Sequence, residues 1–134
     1  FVPERGMSLA RREISALAQA KSANFCGQSI LTREFGVGPE QVVTTYLAGG
    51  FANYINVANA MDIGFILSAP PEKIRKVGNA ALEGATLMLV SRKMRETAEA
   101  MVRRIGHVEL ETSPDFLDLF VEGCLFKPMK ASAD

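Results

Sequence analysis

The stretch that indicates the fold class reads Val42-Val43-Thr44-Thr45-Tyr46-Leu47-Ala48-Gly49-Gly50-Phe51. Its first six residues are mainly β-branched or apolar and lie between turn residues, which predicts a strand buried on both faces, as in parallel sheets covered by helices. The two glycines follow the carboxyl end of this strand and precede a helix predicted to end at Gly64. Because glycine lacks a β-carbon, this backbone can approach a flat base or a ribose. The alternative is a tight strand-to-helix turn, the commoner role of a lone Gly-Gly pair.

Helical patterns surround this strand. They predict a helix from the cap Ser8 through Phe25 with a bend or break at Gly27, a short helix over Glu72–Val77, a helix that starts at the cap Asn79 and breaks near Ser91, and a last helix from Ser113-Pro114 through Phe120. Only His107–Glu111 alternates like another strand. Two strands are few for an independent sheet, so the sequence predicts a helix-rich α/β chain that is half of a larger unit.

The composition fits one globular domain over residues 1–134, with 1–7 and 127–134 expected to be loosely ordered. Apolar residues make up 48% and charged residues 22% of the chain, which excludes disorder. The formal net charge of zero gives no overall field that attracts nucleic acid or anionic lipid. No secretory signal is recognisable, and no apolar stretch approaches the roughly 20 residues of a membrane span. The sequence therefore predicts a cytoplasmic protein with neither nucleic-acid nor membrane partners.

Groups that could perform catalysis or bind a metal are few. His107 is the one histidine, and Cys26 and Cys124 are two cysteines without a metal-binding or disulfide spacing. The basic residues between Arg92 and Arg104 have no interleaved aromatic residues and are interpreted as a solvated helix face. Neither a dinucleotide-binding fingerprint nor a phosphate loop is present. We therefore assign no catalytic residue and no metal site.

The order of several motifs resembles one protein family. Tyr46–Ile55, Ile63-Gly64, Gly78–Ala85 and Pro114-Asp115-Phe116, with the helix Ile14–Ala23 before them, resemble the C-terminal part of the reductive activators of corrinoid-dependent methyltransferases. These are ferredoxin-like ATPases of the acetate and sugar kinase, heat-shock chaperone and actin superfamily. The likeness runs from about Ser8 to Phe126. It implies part of an actin-like (ribonuclease H-like) ATPase domain with few strands, and the C-terminal segment of a larger ATPase.

The resemblance also implies a nucleotide site. Gly49 and Gly50 match the superfamily's adenosine motif, which lies along the adenine and ribose of ATP. Phe51 and Asn53 would flank that site. Lys21 lies on the preceding helix, and the Gly-Asn pair at positions 78 and 79 matches another element of the family. In place of a glycine usual in the family, this chain has Ala52, which adds a β-carbon. The nucleotide-binding positions implied are Gly49, Gly50, Phe51, Asn53, Lys21, Gly78 and Asn79.

The function implied belongs to a longer protein. Such an activator uses ATP with Mg to drive an electron from a [2Fe-2S] cluster to a Co(II) corrinoid, restoring Co(I). The cluster lies in an N-terminal domain absent here, so this chain alone is expected to bind no cofactor and to be inactive, and its status as an enzyme stays open. Implied partners are a corrinoid protein, the chain's own missing N-terminal domains and, through exposed apolar surface, a second copy. Two alternatives are a non-catalytic protein-interaction module and the equivalent segment of another kinase of the superfamily.

Overall fold

The structure is a computed structural model that describes residues 8–129 together with Glu4 and Gly6. Short 3-10 turns lie at Pro39–Gln41, Pro71–Lys73 and Leu110–Thr112. The helices and strands are α1 (Arg11–Glu34), β1 (Thr45–Leu47), α2 (Gly50–Tyr54), α3 (Val57–Asp62), β2 (Ile74–Lys76), α4 (Ala80–Val90), α5 (Arg92–Val102) and α6 (Phe116–Gly123). The predicted helix-rich α/β class with few strands is therefore confirmed.

The described residues form two compact units. Unit 1 comprises residues 8–42, 57–69 and 109–129, and unit 2 comprises residues 43–56 and 70–108. The expectation of one domain over residues 1–134 stays a prediction, and the two units are described separately. Among the described residues, no helix is both long and apolar enough to cross a membrane.

Unit 1 is built on the packing of α1 against α6. Phe25, Leu67 and Met129 are buried together and form its core cluster. The close approach of the two helices requires Gly123, since a β-carbon there would lie 2.6 Å from Ser22 Oγ. The predicted bend at Gly27 is wrong, because α1 continues to Glu34 without interruption.

The segment that follows Gly64 is fixed to α1 by the side-chain amide of Gln28. Gln28 Nε2 donates to Phe65 O at 3.0 Å, and Leu67 N donates to Gln28 Oε1 at 2.8 Å. The amide thus pairs with the extended backbone as a neighbouring strand would. Gly64 adopts a φ of 72°, and a β-carbon there would lie 2.2 Å from Lys127 O, so only glycine fits.

Two contacts involve the C-terminal part of the described chain. Met129 is buried in the core of unit 1, and the exposed Lys127 forms an ion pair with Glu122 at 2.9 Å. The looseness expected of residues 127–134 stays a prediction. Apart from Glu4 and Gly6, the remaining terminal residues, 1–3, 5, 7 and 130–134, lie outside the described residues.

Unit 2 contains the two strands. β1 and β2 pair in parallel, with Thr45 opposite Ile74, Tyr46 opposite Arg75 and Leu47 opposite Lys76. The strand predicted over Val42–Leu47 exists, but only its last three residues pair. The expectation that it is buried on both faces is wrong for this chain, because Val43 and Tyr46 are exposed.

Two predicted elements differ from the structure. The helix predicted over Glu72–Val77 is a 3-10 turn followed by β2, because Ile74–Lys76 finds a pairing partner in β1. The strand predicted over His107–Glu111 does not form. Leu110–Thr112 is a 3-10 turn, and Thr112 Oγ1 donates to Glu109 O at 2.8 Å.

Two local predictions are confirmed at α4 and α5. Asn79 caps α4, since its Oδ1 accepts a hydrogen bond from Leu82 N at 3.1 Å. The helix breaks at Ser91, whose Oγ accepts from Met94 N at 3.2 Å and caps α5. A capping side chain satisfies backbone donors that have no partner within the helix.

Candidate functional site

The structure brings the two glycine turns of unit 2 together. Gly49 follows β1 and Gly78 follows β2, and the carboxyl ends of parallel strands meet at one edge of their sheet. Gly49 N donates to Gly78 O at 2.6 Å, directly after the bond from Val77 N to Leu47 O at 3.0 Å. The two turns thus extend the strand pairing. In open α/β folds, ligands bind at this edge.

Two of these glycines are required by backbone geometry. Gly49 has a φ of 96° and Gly78 a φ of 63°, a region that residues with a β-carbon rarely adopt. A tight turn is therefore sufficient to explain both. This observation supports the turn interpretation for Gly49 and Gly78 and leaves their contact with a ligand as a prediction.

Gly50 is not explained in the same way. It is the first residue of α2 and has no positive φ, and a β-carbon at this position meets nothing within 4 Å. Neither the turn nor packing in the described chain calls for glycine here. The same open space lies beside Gly49 and Gly78. The bare backbone of this edge is therefore accessible to an external group.

The residues predicted to flank the glycines lie on α2. Phe51 and Asn53 are both exposed, whereas Ala52 between them is buried. The β-carbon of Ala52 causes no torsional strain, because the residue is helical and no residue other than glycine has a positive φ among those described. The departure from the family's usual glycine at this position is therefore compatible with the backbone.

A lysine that sequence reasoning missed holds α2 in place. Lys76, the last residue of β2, donates from Nζ to Asn53 O at 3.1 Å and to Ile55 O at 2.7 Å. These carbonyls lie at the end of α2, where a cation is favourable. No sequence signal distinguishes Lys76 from its basic neighbours, because its role depends on the pairing of β2 with β1.

Lys21 lies in unit 1, whereas the two glycine turns lie in unit 2. Its side chain lies in unit 1 with 0% of its surface exposed, and its Nζ donates to Gly123 O at 2.7 Å and to Leu125 O at 2.6 Å. Burial lowers the pKa of this ammonium group. In this chain the ammonium is therefore engaged by backbone carbonyls, and its contact with the nucleoside stays a prediction.

A cleft of about 740 Å³ in unit 1 has paired charges on its walls. Arg33 binds Asp115 and also donates to Ser113 Oγ at 2.8 Å. The hydrogen bonds from Arg33 and Ser113 lower the pKa of Asp115 to about 2. Lys127 is likewise paired with Glu122. The two ion pairs, Arg33 with Asp115 and Lys127 with Glu122, therefore leave none of these four charges free to bind a ligand.

Nucleophiles and metal ligands are dispersed in the described part of the chain. Cys26 is buried, burial raises the pKa of its thiol, and Cys124 is partly buried. No three histidine, cysteine or acidic side chains come together there as a metal site. The edge formed by the two glycine turns is therefore the candidate site.

Comparison with known proteins identifies the family. The family model described as the C-terminal domain of RACo, the ASKHA domain, matches residues 2–133. The chain belongs to this family. The corrinoid activation enzyme RamQ of Eubacterium limosum is 30% identical over 118 residues, which cover 88% of this chain and 20% of RamQ. The resemblance drawn from the sequence motifs is thereby confirmed.

A solved structure supports the same assignment. A protein described as a reductive activator for corrinoid, iron-sulfur protein is similar with a TM-score of 0.83 and 29% identity, over 91% of this chain and 19% of that one. This similarity and the ASKHA family confirm the predicted actin-like fold. The present chain spans about a fifth of the length of both relatives.

Proposed function

We propose that this chain supplies the adenosine-binding side of the ATPase domain in a longer corrinoid-activating protein. The observation that carries the proposal is Gly50, a glycine with open space beside it that neither a positive φ nor packing explains. It lies at the sheet edge where ligands of α/β folds bind. Membership of the RACo ASKHA family supports adenine nucleotide as the ligand.

In this proposal the ligand is bound mainly by shape. The nucleoside lies against the backbone of Gly49 and Gly50, with the turn at Gly78 beside it and Phe51 and Asn53 at its margin. The hydrogen bond from Gly49 N to Gly78 O fixes the two turns relative to each other before a ligand arrives. Such preorganisation lowers the entropic cost of binding. The side chain of Asn79 is already engaged in capping α4, which favours an indirect role for it.

The chemistry of phosphate cleavage lies outside this chain in the proposal. Mg-bound ATP would be hydrolysed by groups in the preceding part of the longer protein, and the chain's own contribution is to hold the nucleoside. A reduced [2Fe-2S] cluster elsewhere in the longer protein would supply the one electron that converts Co(II) of the corrinoid to Co(I). Such a cluster is commonly held by four cysteines and this chain has two, so another domain would hold it.

The partner in this proposal is a corrinoid protein. The names of the two relatives describe corrinoid activation and a reductive activator for a corrinoid, iron-sulfur protein. We extend that partner class to the longer protein that contains this chain.

The test substitutes Gly50→Val in the full-length polypeptide, as its gene encodes it. The added side chain occupies the space proposed for the nucleoside, so we expect ATP affinity in calorimetric titration to fall at least about tenfold, or about 1.4 kcal/mol. The free energy of unfolding should not fall, because the β-carbon meets no neighbour and valine exceeds glycine in helix propensity.

The matched control is Gly106→Val in the same polypeptide. Gly106 also has no positive φ and its β-carbon would also meet open space, but it follows α5 rather than lying at the glycine turns. We expect this variant to bind ATP as the parent does. Equal ATP affinity of the Gly50→Val variant and the parent would refute the proposed site.

A further inference from the structure

The last turn of α4, residues 87–90, has an apolar surface that continues around the helix axis, whereas Glu83 and Thr86 precede it. None of its residues is buried, and Leu87, Met88, Leu89 and Val90 are 52%, 41%, 80% and 73% exposed. Consecutive residues of an α-helix are turned by about 100°, so these four side chains point in widely different directions. The apolar surface of α4 is therefore not a single stripe.

Helix α5 covers only one side of α4. Met88 lines a groove with Ala98 and Val102 of α5, and Arg95 donates to Met88 O at 2.6 Å. Leu89 and Val90 remain exposed beside this groove. A surface helix normally has one apolar stripe, whereas a helix that is apolar on all sides is characteristic of the interior of a large protein.

We propose that the last turn of α4 is interior to the longer protein, covered by polypeptide that lies outside the present chain. The relatives provide that polypeptide, since about four-fifths of their length lies beyond the region matched here. This occupant explains the directions of the exposed side chains better than a second copy does. A twofold contact covers one patch on each copy and would leave other sides of α4 in water.

The charges of α5 indicate where this covering ends. Lys93 in the first turn of α5, and Arg103 and Arg104 directly after its end, are exposed, and their cationic groups have no ion-pair partner among the described residues. Burying an unpaired charge is costly, so both ends of α5 should stay in water. In this proposal the added polypeptide therefore covers Leu89 and leaves Lys93 exposed to water. The proposal rests on family membership and on the surface of α4, and it does not require the proposed nucleotide site.

Cysteine labelling of the full-length polypeptide, as its gene encodes it, tests the proposal. Leu89→Cys and Lys93→Cys variants are treated with a maleimide, and labelling at each position is followed by peptide mass spectrometry. This readout separates the new cysteines from Cys26 and Cys124. The same variants unfolded in denaturant give the reactivity of a fully accessible thiol.

If the last turn of α4 is interior, Leu89→Cys reacts at least about tenfold more slowly in the native protein than in denaturant, because labelling requires local opening. Lys93→Cys reacts at a similar rate in both states. Equal native reactivity of the two positions would overturn the proposal. Protection of Leu89→Cys that disappears on dilution would also overturn it, since a second copy would then be the covering partner.

Discussion

Lys21 shows how a buried charged residue can be held by the end of a helix. Its ammonium lies beside the end of α6, donates to the carbonyls of Gly123 and Leu125, and lies 5.2 Å from the ring centre of Phe25. The last carbonyls of a helix have no partner within the helix and carry partial negative charge. These contacts offset part of the cost of removing the cation from water.

We expect Lys21→Met to destabilise the chain at neutral pH by about 1–3 kcal/mol, because two carbonyl groups lose their side-chain donor. Urea unfolding measures the difference in free energy. Lys93→Met is the control, since Lys93 is exposed, and should change stability by less than about 0.5 kcal/mol. An unchanged free energy of unfolding in the Lys21→Met variant would show that these hydrogen bonds do not stabilise unit 1.

The parent and the Lys21→Met variant should also differ in how their free energy of unfolding depends on pH. Burial lowers the pKa of Lys21 in the folded state below its usual value of 10.5. At a pH between the lowered pKa and 10.5, the unfolded state therefore binds more protons than the folded state. The free energy of unfolding of the parent therefore gains a component that rises with pH in this window. The Lys21→Met variant lacks this component, and the stability difference between the two should widen as the pH increases towards about 10. A constant difference would contradict the lowered pKa.

The burial of Lys21 could be predicted from the pattern of α1. Ser22, Phe25, Cys26 and Ile30 are buried with it at helical spacing. This stripe was readable in the sequence and would have placed Lys21 on the packed face. Resemblance to a family suggests a role for this position but does not specify its burial.

At the scale of elements, the distance between α1 and α6 depends on one glycine. A β-carbon on Gly123 would lie 2.6 Å from Ser22 Oγ, 3.0 Å from Ser22 Cα and 3.1 Å from Phe25 Cδ1. Two of these three neighbours are not flexible chain ends, so the helices must separate. Overpacking of this kind typically costs about 1–3 kcal/mol.

Gly123→Ala should therefore lower the free energy of unfolding by about 1–3 kcal/mol in urea denaturation. Gly27→Ala is the matched substitution on α1, where the added β-carbon meets only Leu110 Cδ1 at an ordinary 3.7 Å. It should be neutral or raise stability by up to about 1 kcal/mol, because alanine has the higher helix propensity. Similar losses in both variants would mean that helix packing is not what requires Gly123.

Local signals predicted some elements and not others. The caps at Asn79 and Ser91 involve residues three positions apart, so the sequence was sufficient to locate them. β2 depends on pairing with Thr45–Leu47, and this distant contact overrode the helical interpretation of Glu72–Val77. His107–Glu111 has the alternation of a strand but no pairing partner among the described residues. Periodicity alone does not supply a partner.

At the scale of the molecule, the candidate site was predicted in its residues but not in its geometry. The sequence placed Gly49 and Gly50 after a strand, and the resemblance added Gly78. The hydrogen bond that joins Gly49 to Gly78 follows only from the parallel pairing of β1 and β2. The same pairing brings Lys76 within hydrogen-bond distance of Asn53 O in α2. No local sequence pattern could indicate this contact.

Exposed apolar residues on α4 also predict the behaviour of the 134-residue chain produced alone. Without a covering layer, this surface should associate with a second copy, because burial of a leucine side chain contributes about 1.5–3 kcal/mol. We expect sedimentation to depend on protein concentration. Leu89→Lys should weaken association at least about tenfold, since a charge replaces an apolar contact. Leu117→Lys on α6 is the matched control, because Leu117 is 74% exposed against 80% for Leu89. A strict monomer, or equal weakening by both variants, would show that α4 does not drive association.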